Sequence, residues 1–314
     1  MTKPRLILPG ATLAVCRRNT QQTFFLTPCR KVNQAYLYLL GYTAEKYGID
    51  LHAFCAMSNH HHLNLTDPRG NLPDFCQNFH SLLARCLNNH YDRSENFWSG
   101  AASYNACLLG IKGEADIVEY AHDSLQKMIY TIVNPVRAAL VNEARKWPGA
   151  NSIHYRFGQT VEFERPDWFF RAKGPMPAKS QITLVQPPGW EHLSGHEMDT
   201  AVRQATLERT LEIRRELKAE GRKFLGAHTV LRQNPFTTLG PKPAEHKPIP
   251  HVASSDPTRR KQLKELLRNF RAEYKAALRA LLDGDRDAIF PHGTYHMHRR
   301  FNVRCHPAEP HPPP

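Results

Sequence analysis

The sequence predicts an α+β fold: a ferredoxin-like βαββαβ antiparallel sheet with helices on one face, plus a mainly helical, basic C-terminal extension. Three observations carry that reading. Short strand-like runs alternate with apolar stripes of helical spacing through the first 150 residues. Their order is β-α-β-β-α-β, followed by a third helix. Past about residue 153 the alternation gives way to prolines, tryptophans and long charged helices.

Ala11 to Arg18 (ATLAVCRR) follows Pro9-Gly10 as the first strand. Lys31 to Tyr47 sets Val32, Tyr36, Leu39, Leu40 and Tyr47 at helical spacing, and Gly48 is placed to end it. Leu51 to Met57 and His60 to Thr66 are strand-length runs on either side of the turn-like pair Ser58-Asn59. Pro73 opens a second helix with Phe75, Phe79, Leu82, Leu83, Cys86 and Leu87 on one face. Ser103 to Leu109 reads as the fourth strand. A third helix runs from about Ala115 to Val133 and stops at Asn134-Pro135, because the residue before a proline avoids the helical region.

Bulk properties narrow the function. No apolar run approaches the roughly 20 residues of a membrane helix. The patch from Leu6 to Pro9 is too short for a signal-peptide core, so a cytoplasmic, non-membrane protein is expected. The seven cysteines contain no C-x-x-C pair, which argues against a disulfide framework or a Cys-rich zinc site. The net charge of +13 points to a polyanionic partner. The surplus is uneven: residues 1–150 carry 15 Lys+Arg against 11 Asp+Glu, and residues 151–314 carry 27 against 18. No G-x-x-x-x-G-K-[ST] loop is present, so no nucleotide cofactor is expected.

Two short segments carry the chemistry. The first is Met57-Ser58-Asn59-His60-His61-His62-Leu63. On a strand, His60 and His62 share one face and His61 takes the other, so two imidazoles about 7 Å apart at their bases can converge on one divalent metal. The second runs from Tyr130 to Val141, YTIVNPVRAALV. Tyr130 and Asn134 stand four apart, hence on one helical face. Alone, each segment has an ordinary structural reading: an incidental histidine run, and a core tyrosine with a polar helix end.

Together they resemble the HUH single-tyrosine transposases, in particular the REP-associated tyrosine transposases (insertion-sequence-200-like, transposase family 17). Those carry a strand motif M-P-N-H-x-H-L and, some 70 residues on, a helix motif Y-x-x-x-N-P-V-R-A-G-L-V. Pro9-Gly10-Ala11-Thr12 with Arg17-Arg18, the stretch Leu65 to Pro68, and Trp147-Pro148 extend the match over about residues 5–152. Three positions depart from the pattern. Ser58 stands where proline is common, His61 where a bulky apolar residue is usual, and Ala139 in place of glycine.

The resemblance implies a transposase-like DNA strand transferase acting on single-stranded or hairpin DNA, as monomer or homodimer. Tyr130 would be the nucleophile that forms a 5′-phosphotyrosine, and His60, His62 and Asn134 the ligands of Mg²⁺ or Mn²⁺. Arg17 and Arg18, ending the first strand, and Arg137, after the tyrosine helix, are candidates to grip phosphate. Tyr120 is a second hydroxyl on the same helix, read first as a packing residue. Two alternatives stay open: a domesticated DNA-binding regulator with the same fold, and a metal-dependent nuclease without a covalent step.

On this reading residues 1–152 form the HUH catalytic domain, and 153–234 hold Pro/Trp-rich loops and a charged helix. That helix, Glu197 to Glu220, has Met198, Val202, Ala205 and Leu211 as its stripe. Residues 235–257 are a Pro-rich linker. Residues 258–314 form a basic helix and tail, a DNA-binding extension. From Arg259 to Leu282, Leu263, Leu267, Phe270 and Tyr274 mark the apolar face, and Arg260, Lys261, Lys264, Arg268, Arg271 and Lys275 mark a cationic face suited to phosphates. His292, His296, His298, Cys305 and His306 offer zinc-type donors at a spacing that matches no common finger, so a phosphate-binding tail is the preferred reading.

Overall fold

The computed structural model describes residues 4–100, 104–111, 117–239 and 250–307. Its core is a four-stranded sheet of β1 (Ala11–Arg18), β2 (Asp50–Met57), β3 (His60–Asp67) and β4 (Tyr104–Ile111), ordered β2-β3-β1-β4. β3 is antiparallel to β1 and β2, and β1 to β4. The expected start of the fourth strand at Ser103 and of the third helix at Ala115 lie outside the described residues.

Helices α1 (Arg30–Tyr47) and α2 (Leu72–His90) connect the strands as the split βαβ topology requires. Gly48 closes α1 in the left-handed conformation, φ 65°, as its position in the sequence predicts. Tyr36 on α1 and Phe79 on α2 meet edge to face above His61 of β3, so both helices cover one face of the sheet. The third helix, α3 (Ile117–Ile132), takes the opposite face, where Thr131 reaches Asn64 of β3. Strand alternation explains the division, because His61 and Asn64 differ by an odd number of positions.

A directional hydrogen-bond chain ties α3 to the sheet. The Tyr120 hydroxyl donates to Thr12 Oγ1, and Thr12 meets Thr66 Oγ1 at 2.5 Å. Thr66 reaches His52 Nε2 at 2.8 Å, and His52 Nδ1 lies 2.8 Å from Val185 O. Every donor has an acceptor only if His52 is neutral with its proton on Nδ1. Burial indeed pushes His52 down to about 4.

The C-terminal half closes the sheet rather than hanging from it. At one edge Val185 N–H donates to Leu51 O of β2. At the other, Leu108 N–H of β4 donates to His251 O, and Ala253 N–H to Leu108 O. Each edge is thus capped over a short stretch by C-terminal backbone. Residues 251–253, expected within the linker 235–257, are in this way part of the sheet's border. Residues 240–249 lie outside the described residues. A hairpin of β5 (Thr160–Glu164) and β6 (Lys179–Thr183) straps α1, so closely that a Cβ at Gly41 would stand 2.6 Å from Gln181 O.

Past the short α4 (Asn134–Arg137), helix α5 (Gly195–Ala219) begins with a capping box between Ser194 and Glu197. Its buried stripe is Met198, Val202, Thr206, Thr210, Ile213 and Leu217, whereas Leu211, expected on that stripe, is exposed. The physical reason is polar burial: Thr206 and Thr210 occupy turns on the buried face that hydrophobicity alone does not mark. Past the short α6 (Ala227–Leu231), helix α7 (Pro257–Leu282) puts Leu263 and Leu267 into the main core. Phe270 and Tyr274 pack with each other, and Tyr274 with Phe290.

Candidate active site

β3 and α3 build the site between them. His60 and His62 point from β3 toward α3 with ring centroids 4.9 Å apart, while His61 is wholly buried on the other face. Tyr130, near the end of α3, stands edge-on to His62 at 5.7 Å and is 41% exposed. The hydrogen bond from Thr131 Oγ1 to Asn64 Oδ1, 2.6 Å, sets the helix on the strand one residue beyond the tyrosine. His60, His62, Tyr130 and Thr131 line a cleft of about 710 Å³.

The two histidines are kept neutral. Burial pushes His60 down to about 4, helped by the Arg18 guanidinium. His62 is lowered well below the ordinary imidazole value by burial, then by His60, His61 and Lys127. His60 Nδ1 lies 2.6 Å from Asn59 Oδ1, an acceptor that fixes the proton on Nδ1 and leaves the Nε2 lone pair free to ligate. The face below is fastened by a second relay. Arg17 Nη1 meets His80 Nδ1 at 3.0 Å, His80 meets His61 at 2.9 Å, and His61 meets the Tyr36 hydroxyl at 3.3 Å.

Of the two β1 arginines expected to grip phosphate, Arg18 lines the cleft opposite His60 and Arg17 does not. The registers Arg18↔His60 and Arg17↔His61 make this unavoidable: neighbours on a strand face opposite ways, and Arg17 lies against Trp98 and His80. Arg137 Cζ is 5.4 Å from the Tyr130 ring centre, but Arg137 is not among the residues that line the cleft. Tyr120 is fully buried and bonded to Thr12, in keeping with a packing role.

Asn134 is buried and does not line the cleft. α3 ends at Ile132, Val133 turns the chain with φ −85° and ψ 3°, and Asn134 starts the short helix α4 (Asn134–Arg137). The four-residue spacing to Tyr130 presumes one unbroken helix, which this break removes. Among the described residues no three His, Cys, Asp or Glu side chains are grouped to hold a metal, in the cleft or in the His-rich tail. His60 and His62 are two fitting donors. The donor chemistry suits a divalent ion that keeps open positions.

Of the six α7 cations, none lines the cleft. Arg268 pairs with Glu265 at 3.1 Å, and Arg271 is half-buried, which lowers its pKa. Sequence reasoning missed Lys127, whose Nζ stands 5.7 Å from the Tyr130 ring centre; its place three residues before the tyrosine on one helix was the available signal. It also missed Arg222, Gln233 and Leu239, which reach the cleft from the distant C-terminal half. Ser58 Oγ lies 3.2 Å from Gln233 Oε1, so the serine that replaces the family's proline holds one wall of the cleft.

Residues 15–124 match the family model "Transposase IS200 like". Over this segment the chain is similar to IS200-like transposases. The segment spans β1 to the first half of α3, includes His60 and His62, and ends six residues before Tyr130. Among solved structures, the chain is similar to a REP-associated tyrosine transposase bound to a REP hairpin. Identity is 15% and the TM-score 0.37, over 49% of this chain and 83% of that one. It is also similar to a Deinococcus radiodurans protein provisionally named a transposase, at 20% identity and TM-score 0.27, over 40% of this chain and 98% of that one. No curated protein matches the chain. No helix among the described residues is long and apolar enough to cross a membrane.

Proposed function

We propose that the protein cleaves and rejoins single-stranded or hairpin DNA through a covalent bond to Tyr130. The observation that carries this reading is the half-exposed Tyr130 ring set edge-on to His62 in a cleft shared with His60. A structural tyrosine on an amphipathic helix would be turned into the core, as Tyr120 is.

The Tyr130 oxygen would attack the scissile phosphorus, forming the O–P bond of a 5′-phosphotyrosine while the bond to the 3′ oxygen breaks. The phenol proton passes to solvent in the open cleft, and the 3′ oxygen takes one up. The reverse attack by a 3′-hydroxyl rejoins DNA without ATP, because the phosphodiester energy is kept in the tyrosyl bond. Lys127, Arg137 and Arg18 stand where they would offset phosphate charge. A Mg²⁺ or Mn²⁺ held by His60 and His62 would polarise the phosphate's non-bridging oxygens.

The test is covalent capture on a denaturing gel. Tyr130→Phe should abolish the protein–DNA adduct and leave DNA affinity within about twofold. His60→Ala and His62→Ala should each remove metal-dependent cleavage, and chelator should do the same to the parent. His61→Ala should instead lower thermal stability, since it strips His80 and Tyr36 of a buried partner. Adducts on the Phe variant would show that Tyr130 is not the nucleophile. Cleavage without any adduct would favour the metal-dependent nuclease, and binding alone the regulator.

A further inference from the structure

We propose that the end of α5 and the loop after it form a phosphate track that receives the DNA single strand as it leaves the tyrosine cleft. The inference rests on the DNA-processing reading above and adds a binding site in the C-terminal half.

Arg214, Lys218, Arg222 and Lys223 line a concavity of about 410 Å³ together with Gly221 and Phe224. Four cations and no carboxylate make up its charged lining. The nearest counter-charge is Glu220, 3.4 Å from Arg222, and both partners are about half exposed. Such a pair is weak in water and readily exchanged for a phosphate. Among the described residues, Arg214, Lys218 and Lys223 have no ion pair.

Arg222 is the link, since it lines both this concavity and the tyrosine cleft. Continuity is fixed by the backbone. Leu225 N–H donates to Ala139 O and Gly226 N–H to Leu140 O, both at 2.9 Å. The loop is thereby pinned to the turn that follows Tyr130 and Arg137. Gly221, with φ 68°, ends α5 and turns the chain back toward that anchor.

Exposed cations without base-reading partners bind the backbone through counterion release, independent of sequence. Phe224 adds an aromatic surface to the same concavity, the usual complement to charge for unpaired bases. The cationic face of α7, by contrast, shares no lining residue with the cleft.

The test measures the salt dependence of binding in the full chain on a Tyr130→Phe background, so that cleavage does not enter the readout. Arg214→Ala/Lys218→Ala/Lys223→Ala should reduce the slope of log K against log salt by about 2 for a long single strand, at about 0.7 per lost phosphate contact. A short oligonucleotide confined to the cleft should bind as before. Lys261→Ala/Lys264→Ala/Arg268→Ala on α7 should leave the slope unchanged. All six positions are exposed, and matched melting curves confirm intact folding. An unchanged slope in the α5 variant overturns the proposal, as does a loss seen for duplex but not for single strands. Absence of an adduct in the parent would sink the covalent reading and leave this result standing.

Discussion

Thr131 on the tyrosine helix donates to Asn64 on the histidine strand at 2.6 Å, one residue past Tyr130 and two past His62. It is the buried polar bond that joins the two elements at the cleft. Thr131→Val keeps shape and removes the donor. It should cost about 1–3 kcal/mol, because Asn64 is left unsatisfied. It should also slow adduct formation several-fold at saturating DNA while barely changing affinity. A rate equal to the parent's would show that packing alone orients the tyrosine.

Two turns before Tyr130 on the same helix, Asp123 meets Arg259 of α7 at 2.9 Å, with side chains only 5% and 2% exposed. Ser255 adds two hydrogen bonds to the same carboxylate. Removing one partner of a buried pair leaves an uncompensated charge, at about 3–5 kcal/mol. Asp123→Ala should lower stability by that order in urea unfolding, and truncation ahead of residue 250 should do so too. A truncated chain as stable as the parent would mean that α7 is a dispensable appendage.

His52 gives a pH signature. Its folded pKa, about 4, lies below the ordinary 6.5, so the unfolded chain takes up the proton first as pH falls. The stability that neutral His52 contributes is full above about pH 6.5 and is lost progressively toward about pH 4. Its share of the slope is at most about 1.4 kcal/mol per pH unit. His52→Leu should lose less stability than the parent between pH 7 and 5. Parallel curves would show that the buried chain tolerates a protonated imidazole.

Ala139 replaces the family's glycine yet keeps a left-handed backbone, φ 56°. That conformation costs an alanine about 1–2 kcal/mol, and glycine gives back part of the gain as chain entropy. Ala139→Gly should therefore raise stability by about 0.5–1 kcal/mol. A loss would mean that the turn relaxes when the Cβ is removed.

The sequence by itself determined what repeats locally. The period-2 run through His60, His61 and His62 and the stripe of Phe75, Phe79 and Leu83 named the strands, the helices and their order, because side-chain direction follows from backbone periodicity. Alternation also held the answer to Arg17 and Arg18, since two neighbours on a strand cannot both face one cleft. What only the tertiary structure decided is what distant segments bring together. The face taken by α3, Gln233 against Ser58, and the Arg259–Asp123 pair join residues far apart in the chain. The break at Val133 that removes Asn134 from the cleft belongs with them, as does the meeting of Arg222 with Tyr130 across one cavity. Charge counting placed the cationic surplus in the C-terminal half. It could not choose between α5 and α7, because charge carries no position until packing buries one apolar face of each helix and turns the other outward.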